Sequence, residues 1–128
     1  MPRFLLVDDQ SHVRDAIMLA LRAKNFEGIG VDNGTAALNA FDASHFDLAI
    51  VDIYMPGMDG VTLIKALRER NPKFPIVAIS GVHLGASGRT ALSFLQMAPN
   101  LAGITCLQKP FRTGELLQAI ETAIGVAA

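Results

Sequence analysis

The sequence predicts an α/β protein built on a parallel sheet with helices on both faces. Three observations carry this expectation. Short apolar runs recur along the chain: Phe4-Leu5-Leu6-Val7, Leu48-Ala49-Ile50-Val51, Ile76-Val77-Ala78-Ile79, and a shorter one around Ile104 to Leu107. Continuous apolar runs of this length are strands covered on both faces, as parallel strands are. The segments between them carry apolar residues at helical spacing. Regular alternation of strand and helix implies βαβ units with right-handed crossovers.

Each element has its own signal. After the strand Phe4 to Val7, a helix is predicted from about Gln10 to Lys24, where Val13, Ile17 and Leu21 recur every fourth residue. A short strand follows from Gly28 to Val31. Asp32-Asn33-Gly34 is a turn and helix start, and Ala37, Leu38 and Phe41 form the apolar face behind it. The third strand is Leu48 to Val51. Asp59 caps the next helix, with Ile64 and Leu67 inward and Lys65, Arg68 and Glu69 outward, and Asn71-Pro72 ends it. The fourth strand is Ile76 to Ile79. A loop of small residues runs from Gly81 to Gly88, and a helix from about Arg89 to Met97 stops before Pro99. The fifth strand lies near Ile104 to Leu107. The last helix, from about Thr113 to Ile124, turns Leu116, Ile120 and Ile124 inward. Five βα units without a repeat or linker make residues 1–128 a single domain.

Composition narrows the classes of function. At 128 residues and 51% hydrophobic, the chain can bury a full core without disulfide or metal staples. Net charge is −1, and the only basic cluster, Arg68-Glu69-Arg70, contains an acid. Binding of nucleic acid through a basic patch is therefore not expected. The single cysteine, Cys106, has no partner for an internal disulfide and fits a reducing compartment. No apolar run approaches membrane-spanning length. Met1-Pro2-Arg3 leads directly into a four-residue apolar run and two acids, unlike a signal peptide. A cytoplasmic location and no membrane partner are expected.

The chemistry gathers where the strands end. Asp8 and Asp9 close the first strand, Asp52 the third, Ser80 the fourth and Lys109-Pro110 the fifth. In an open parallel sheet these ends share one edge, where such folds place their ligands. Three carboxylates on one rim repel one another unless a cation joins them. Oxygen ligands suit a hard divalent ion, and Mg²⁺ takes a few carboxylates plus waters and phosphate oxygens. Three negative charges then balance two from the metal and one from Lys109, which leaves a site able to accept a phosphoryl group. Lys109 offers a compact point charge, Ser80 a hydroxyl donor, and a carboxylate can serve as nucleophile to give an acyl phosphate. Phosphoryl transfer needs little more than positioning and charge neutralisation.

At these residues the chain resembles the receiver domain of two-component response regulators, CheY-like and without an output domain. The resemblance covers essentially the whole chain. It rests on Val7-Asp8-Asp9, on Asp52 with Met55-Pro56-Gly57-Met58-Asp59-Gly60, on Ser80-Gly81 and on Lys109-Pro110-Phe111. Each motif alone is weak; the four in order on successive strand ends are specific. The resemblance implies a flavodoxin-like (βα)5 fold with strand order 2-1-3-4-5. It implies that Asp52 takes phosphate from a sensor histidine kinase or histidine phosphotransfer protein. Asp9, Asp52 and the backbone carbonyl of Tyr54 would hold Mg²⁺, with Asp8 acting partly through water. Lys109 and Ser80 would bind the phosphoryl group and report its arrival to a downstream protein target. The Lys109–Pro110 bond would be cis. Such a protein is a self-modifying switch rather than an enzyme acting on others, and a homodimer could form through its fourth helix, fifth strand and last helix.

Four positions depart from the family pattern. Cys106 stands where receivers usually carry an aromatic residue that swings inward on activation, and it is too small to fill that slot. The stretch from Ser80 to Lys109 is longer than usual by roughly one to two helical turns, within Val82 to Gly88 or Met97 to Gly103. Gly81 replaces the commoner alanine and loosens the loop. Tyr54 and Val82 occupy the positions that flank the phosphoryl group in receivers, where a ring and an apolar branch hinder attacking water and predict a long-lived phospho-Asp52.

Plainer readings stand beside these. Asp8 and Asp9 alone read as helix caps; with Asp52 and Lys109 on neighbouring strand ends they read as metal ligands. Asp59 is a cap without a chemical role. Cys106 is a small core residue rather than a redox sensor, and His12, His45 and His83 share no ligand spacing. Two other functions compete with the switch. A receiver-shaped scaffold independent of phosphorylation would have no use for the acids, Ser80 and Lys109. A phosphatase with an aspartyl nucleophile would need an Asp-x-Asp pattern and a cap domain, and the chain has Asp8-Asp9 and no room for a cap.

Overall fold

The computed structural model describes residues 2–53, 59–80 and 103–127. The elements are β1 (Arg3–Val7), α1 (Ser11–Ala23), β2 (Glu27–Val31), α2 (Gly34–Ala43), β3 (Leu48–Asp52), α3 (Gly60–Arg70), β4 (Ile76–Ser80), β5 (Thr105–Gln108) and α4 (Thr113–Ala127). The five strands are parallel and lie in the order β2-β1-β3-β4-β5, the flavodoxin-like arrangement. The helix expected at Arg89 to Met97 and the loop Gly81 to Gly88 lie outside the described residues.

Strand residues alternate between two cores because successive side chains leave opposite faces of the sheet. On one face Phe4, Leu6, Leu48, Ile50, Val77 and Ile79 pack with Ile17 and Leu21 of α1 and with Leu116, Ile120 and Ala123 of α4. On the other, Leu5, Val7, Ala49, Val51, Ile76 and Ala78 meet Ala37 of α2 and Leu63, Ile64 and Leu67 of α3. Strands buried on both faces are why β1, β3 and β4 read as unbroken apolar runs. Among the described residues, no helix is long and apolar enough to cross a membrane.

Local chemistry sets the helix ends. Asn33 caps α2 by accepting from the Ala36 amide at 2.8 Å, and Asp59 caps α3 by accepting from Thr62 at 2.8 Å. Helix α1 ends with Asn25 in the left-handed region at φ 67°, its N–H on Arg22 and the N–H of Phe26 on Leu21. That paired closure satisfies two terminal carbonyls. Helices α2 and α3 are tied at the surface by Arg70, whose guanidinium donates to both Asp42 oxygens at 2.7 and 3.1 Å. This hydrogen bond holds the Asp42 carboxyl below, and the Arg70 guanidinium above, its ordinary pKa. Beside it, Phe41 meets Phe74 edge to face with ring centres 4.9 Å apart.

Arg68 corrects the expectation that it points outward. It lies one residue beyond Leu67 and one turn beyond Ile64, so the helix carries it onto the buried stripe, where it is 5% exposed. Its Nε donates to the Phe74 carbonyl at 2.9 Å and its Nη1 to Pro72 at 3.3 Å. These are carbonyls of the turn that feeds β4, where the chain has left the helix and not yet joined the sheet. Burial pushes the Arg68 pKa down from its ordinary value.

Candidate functional site

The site is assembled at the carboxyl ends of β1, β3, β4 and β5. Asp8 follows β1, and its N–H donates to Val31 at 3.1 Å, extending the β1–β2 ladder by one residue. This places its side chain on the α1 and α4 face, fully buried. One carboxylate oxygen accepts the Gln10 amide at 2.9 Å; the other lies 3.4 Å from Lys109 Nζ. The Asp8 carbonyl accepts from Arg14 Nη1 at 2.8 Å. Asp9 is exposed beside it. Gln10 is the N-cap of α1 without a side-chain hydrogen bond, so the buried acid two residues earlier does the capping through that amide.

Asp52 ends β3 and is 5% exposed, with one oxygen 3.5 Å from Lys109 Nζ. The next residue, Ile53, donates to Ile79 at 3.0 Å and accepts from Gly60 at 3.2 Å. These bonds fold the start of α3 back against the strand end. Gly60 permits it: a Cβ there would collide with the Asp52 carbonyl and the Ile53 Cα. Ser80, 1% exposed, ends β4, and its carbonyl accepts the Lys109 amide at 2.6 Å. The Lys109–Pro110 peptide is cis. The hydrogen bond to Ser80 fixes the lysine backbone to β4 while its side chain reaches back across β3 and β1.

The structure brings together one carboxylate oxygen from each of Asp8, Asp9 and Asp52, all within 4.8 Å of one another. Three carboxylates facing the one Lys109 ammonium make this strand edge a cluster of hard, anionic oxygens. A set of hard oxygen donors with that charge fits a divalent ion such as Mg²⁺. Ser80 reaches the same edge from β4. Tyr54, Gly81 and Val82 lie outside the described residues, as does most of the long stretch between Ser80 and Lys109. Cys106 is half-buried, opposite Ala78 in register, and packed against the core beneath α2 and α3. Burial pushes its thiol pKa up, away from the reactive thiolate.

Two residues at this site escape a reading for chemistry. Gly60 looks like turn punctuation, yet it sets how close α3 comes to Asp52. Arg14 looks like a solvated helix residue, yet its side chain returns to the Asp8 carbonyl. Its signal is position: Arg14 shares the spacing of Ile17, Met18 and Leu21, so a charge falls on the buried stripe of α1.

Comparisons with known proteins agree with this arrangement. The sequence profile described as "Response regulator receiver domain" matches residues 4–121. The transcriptional regulatory protein FixJ of Bradyrhizobium diazoefficiens is 30% identical over 119 residues, 93% of this chain and 55% of FixJ. The sensor histidine kinase GacS of Pseudomonas protegens is 35% identical over 98% of this chain and 14% of its own length. The chain thus spans about half the length of FixJ and a small part of GacS. Among solved structures, a sensor protein from Polaromonas sp. JS666 superposes with a TM-score of 0.85 at 28% identity, covering 99% of this chain and 98% of that one. The Vibrio cholerae chemotaxis protein CheY4 superposes at 0.81 with 24% identity, over 96% of this chain and 98% of its own, a likeness of fold.

Proposed function

Since the chain belongs to the response regulator receiver domain family of two-component systems, we propose that it is a phosphoacceptor switch, with Asp52 as the residue phosphorylated. The observation that carries this reading is the placement of the Asp52 carboxylate, clustered with those of Asp8 and Asp9 and 3.5 Å from the Lys109 ammonium.

The proposed donor is a phosphohistidine on a sensor histidine kinase or phosphotransfer protein. An Asp52 oxygen attacks phosphorus, the P–N bond breaks, and the imidazole leaves with the electron pair and takes up a proton. The product is an acyl phosphate on Asp52. Asp8, Asp9 and Asp52 would hold Mg²⁺, together with the Tyr54 carbonyl, and the ion would supply charge neutralisation for the incoming phosphoryl oxygens. Lys109 offers its ammonium to one of those oxygens and Ser80 its hydroxyl to another. They sit at the ends of the neighbouring strands β4 and β5, so any shift they make on phosphorylation passes to that end of the sheet and to a protein target bound there. Relatives that join this unit to different partners, a transcriptional regulator and a sensor kinase, support a module whose output lies in what it contacts.

The test is intact mass after incubation with Mg²⁺ and a small acyl-phosphate donor. The reading expects wild type to gain one phosphoryl group and Asp52→Asn to gain none. A wild-type protein that stays unmodified, and is unchanged by beryllofluoride as a phosphoryl mimic, would instead be a phosphorylation-independent scaffold.

A further inference from the structure

Arg14 has no part in the chemistry above, yet it touches the backbone between two of the acids. Every other attachment of Asp8 is fixed by something else: its N–H by Val31, its side chain by the Gln10 amide and Lys109. Its carbonyl is held by Arg14 Nη1 at 2.8 Å. That carbonyl belongs to the peptide joining Asp8 to Asp9. The plane of this peptide sets the direction in which the Asp9 side chain leaves the backbone, and Asp9 is the exposed member of the cluster.

The arginine stem has a built track. It crosses β2 at Gly30, where a Cβ would lie 2.9 Å from Arg14 Cδ and 3.0 Å from its Cγ. Any residue but glycine at position 30 would push the stem away. The absence of a side chain on β2 and the hydrogen bond to the Asp8 carbonyl are thus two ends of one arrangement.

We infer that Arg14 is a positioning residue for the acidic site: it fixes the Asp8–Asp9 peptide and so aims the Asp9 carboxylate at the divalent cation. The inference rests on the metal-dependent reading of the site given above. Its sign separates it from simple electrostatics. A guanidinium on the Asp8 carbonyl repels a cation bound at the neighbouring acids, so by charge alone its removal would tighten Mg²⁺ binding. Positioning requires the opposite, a weaker Mg²⁺ complex.

The experiment is calorimetric titration of Mg²⁺ into the unphosphorylated chain, with thermal melts without metal alongside. The proteins are wild type, Arg14→Ala, Gly30→Ala and the double variant. Arg14→Ala and Gly30→Ala are each expected to raise the Mg²⁺ Kd by roughly tenfold, the low end for groups that orient metal ligands. Gly30→Ala keeps the charge and moves only the stem. In the double variant the Kd is expected to match that of Arg14→Ala alone, because the added methyl then has no stem to displace. A Kd unchanged or lowered in Arg14→Ala, a fall in melting temperature without a change in Kd, or independent effects of the two substitutions would overturn the inference alone. Failure of wild type to bind Mg²⁺ would overturn the site reading and this inference with it.

Discussion

Lys109 places its ammonium 3.5 Å from the carboxylate of Asp52, a partner 57 positions away in sequence. The lysine amide is tied at the same time to Ser80 on β4, so the side chain works from a fixed base. It stands 3.4 Å from Asp8 as well and is the counter-charge for two buried acids.

Replacing Lys109 by methionine keeps the stem and removes the charge. The protein without metal is expected to lose roughly 1–3 kcal/mol, the cost of taking a charged hydrogen-bond donor away from two buried acids. Saturating Mg²⁺ is expected to recover much of that loss by supplying charge to the same oxygens. Urea denaturation with and without Mg²⁺ measures both.

Asp9→Asn is expected to act in opposite directions on stability and metal binding. Without metal it relieves repulsion among carboxylates that approach within 4.8 Å, and stability rises by about 1 kcal/mol at a water-like dielectric. Mg²⁺ affinity falls by roughly tenfold or more, as a ligand charge is lost. A pair of melting curves with a Mg²⁺ titration shows whether the signs differ.

Gly60→Ala forces a methyl into the backbone of Asp52 and Ile53. The fold is expected to lose about 1–3 kcal/mol through overpacking. Phosphorylation of the folded fraction is expected to slow, because relief of the clash moves the Asp52 main chain. Chemical denaturation gives the first effect and the rate of mass gain the second.

Acid stability has a local source at the start of β1 and β3. The Asp47 carboxyl accepts from the Arg3 amide at 2.8 Å and lies 3.0 Å from His45 Nε2. The amide hydrogen bond holds its pKa below the ordinary value against the opposing effect of burial, with a smaller contribution from the histidine. A folded pKa below the unfolded one contributes stability that is complete above the unfolded value. That stability is lost as pH falls through the folded one. The denaturation midpoint is expected to drop below about pH 4, and Asp47→Asn is expected to flatten part of that drop. A pH series of urea melts on both proteins tests it.

Much of this is legible in the sequence. Phe4 to Val7, Leu48 to Val51 and Ile76 to Ile79 announced themselves as strands because burial on both faces removes polar residues from the run. The strand ends then put Asp8, Asp9, Asp52, Ser80 and Lys109 on one edge, and the helix start at Asp32-Asn33-Gly34 and the cap at Asp59 followed from side-chain chemistry at the right spacing. Arg68 and Arg14 were not legible as residues alone. A charged residue reads as solvated, but on the buried stripe of a helix it is accommodated by donating to carbonyls, which lie at Pro72, Phe74 and Asp8. The targets are backbone atoms, and backbone carbonyls leave no mark in a sequence. Gly60 was hidden for a similar reason: its importance is the absence of an atom.

The glycines of β2 have one more consequence. Gly28 admits Phe4, whose carbonyl and ring a Cβ would strike, and Gly30 admits the stem of Arg14. Both stand on a strand at the border of the sheet. Glycine is a poor strand former, and the exposed Glu27 adds a charge to the same short strand. A border strand of that composition is a weak template for a second chain to extend the sheet. The packing that shapes the interior therefore also guards the molecule against sticking to its own copies edge to edge.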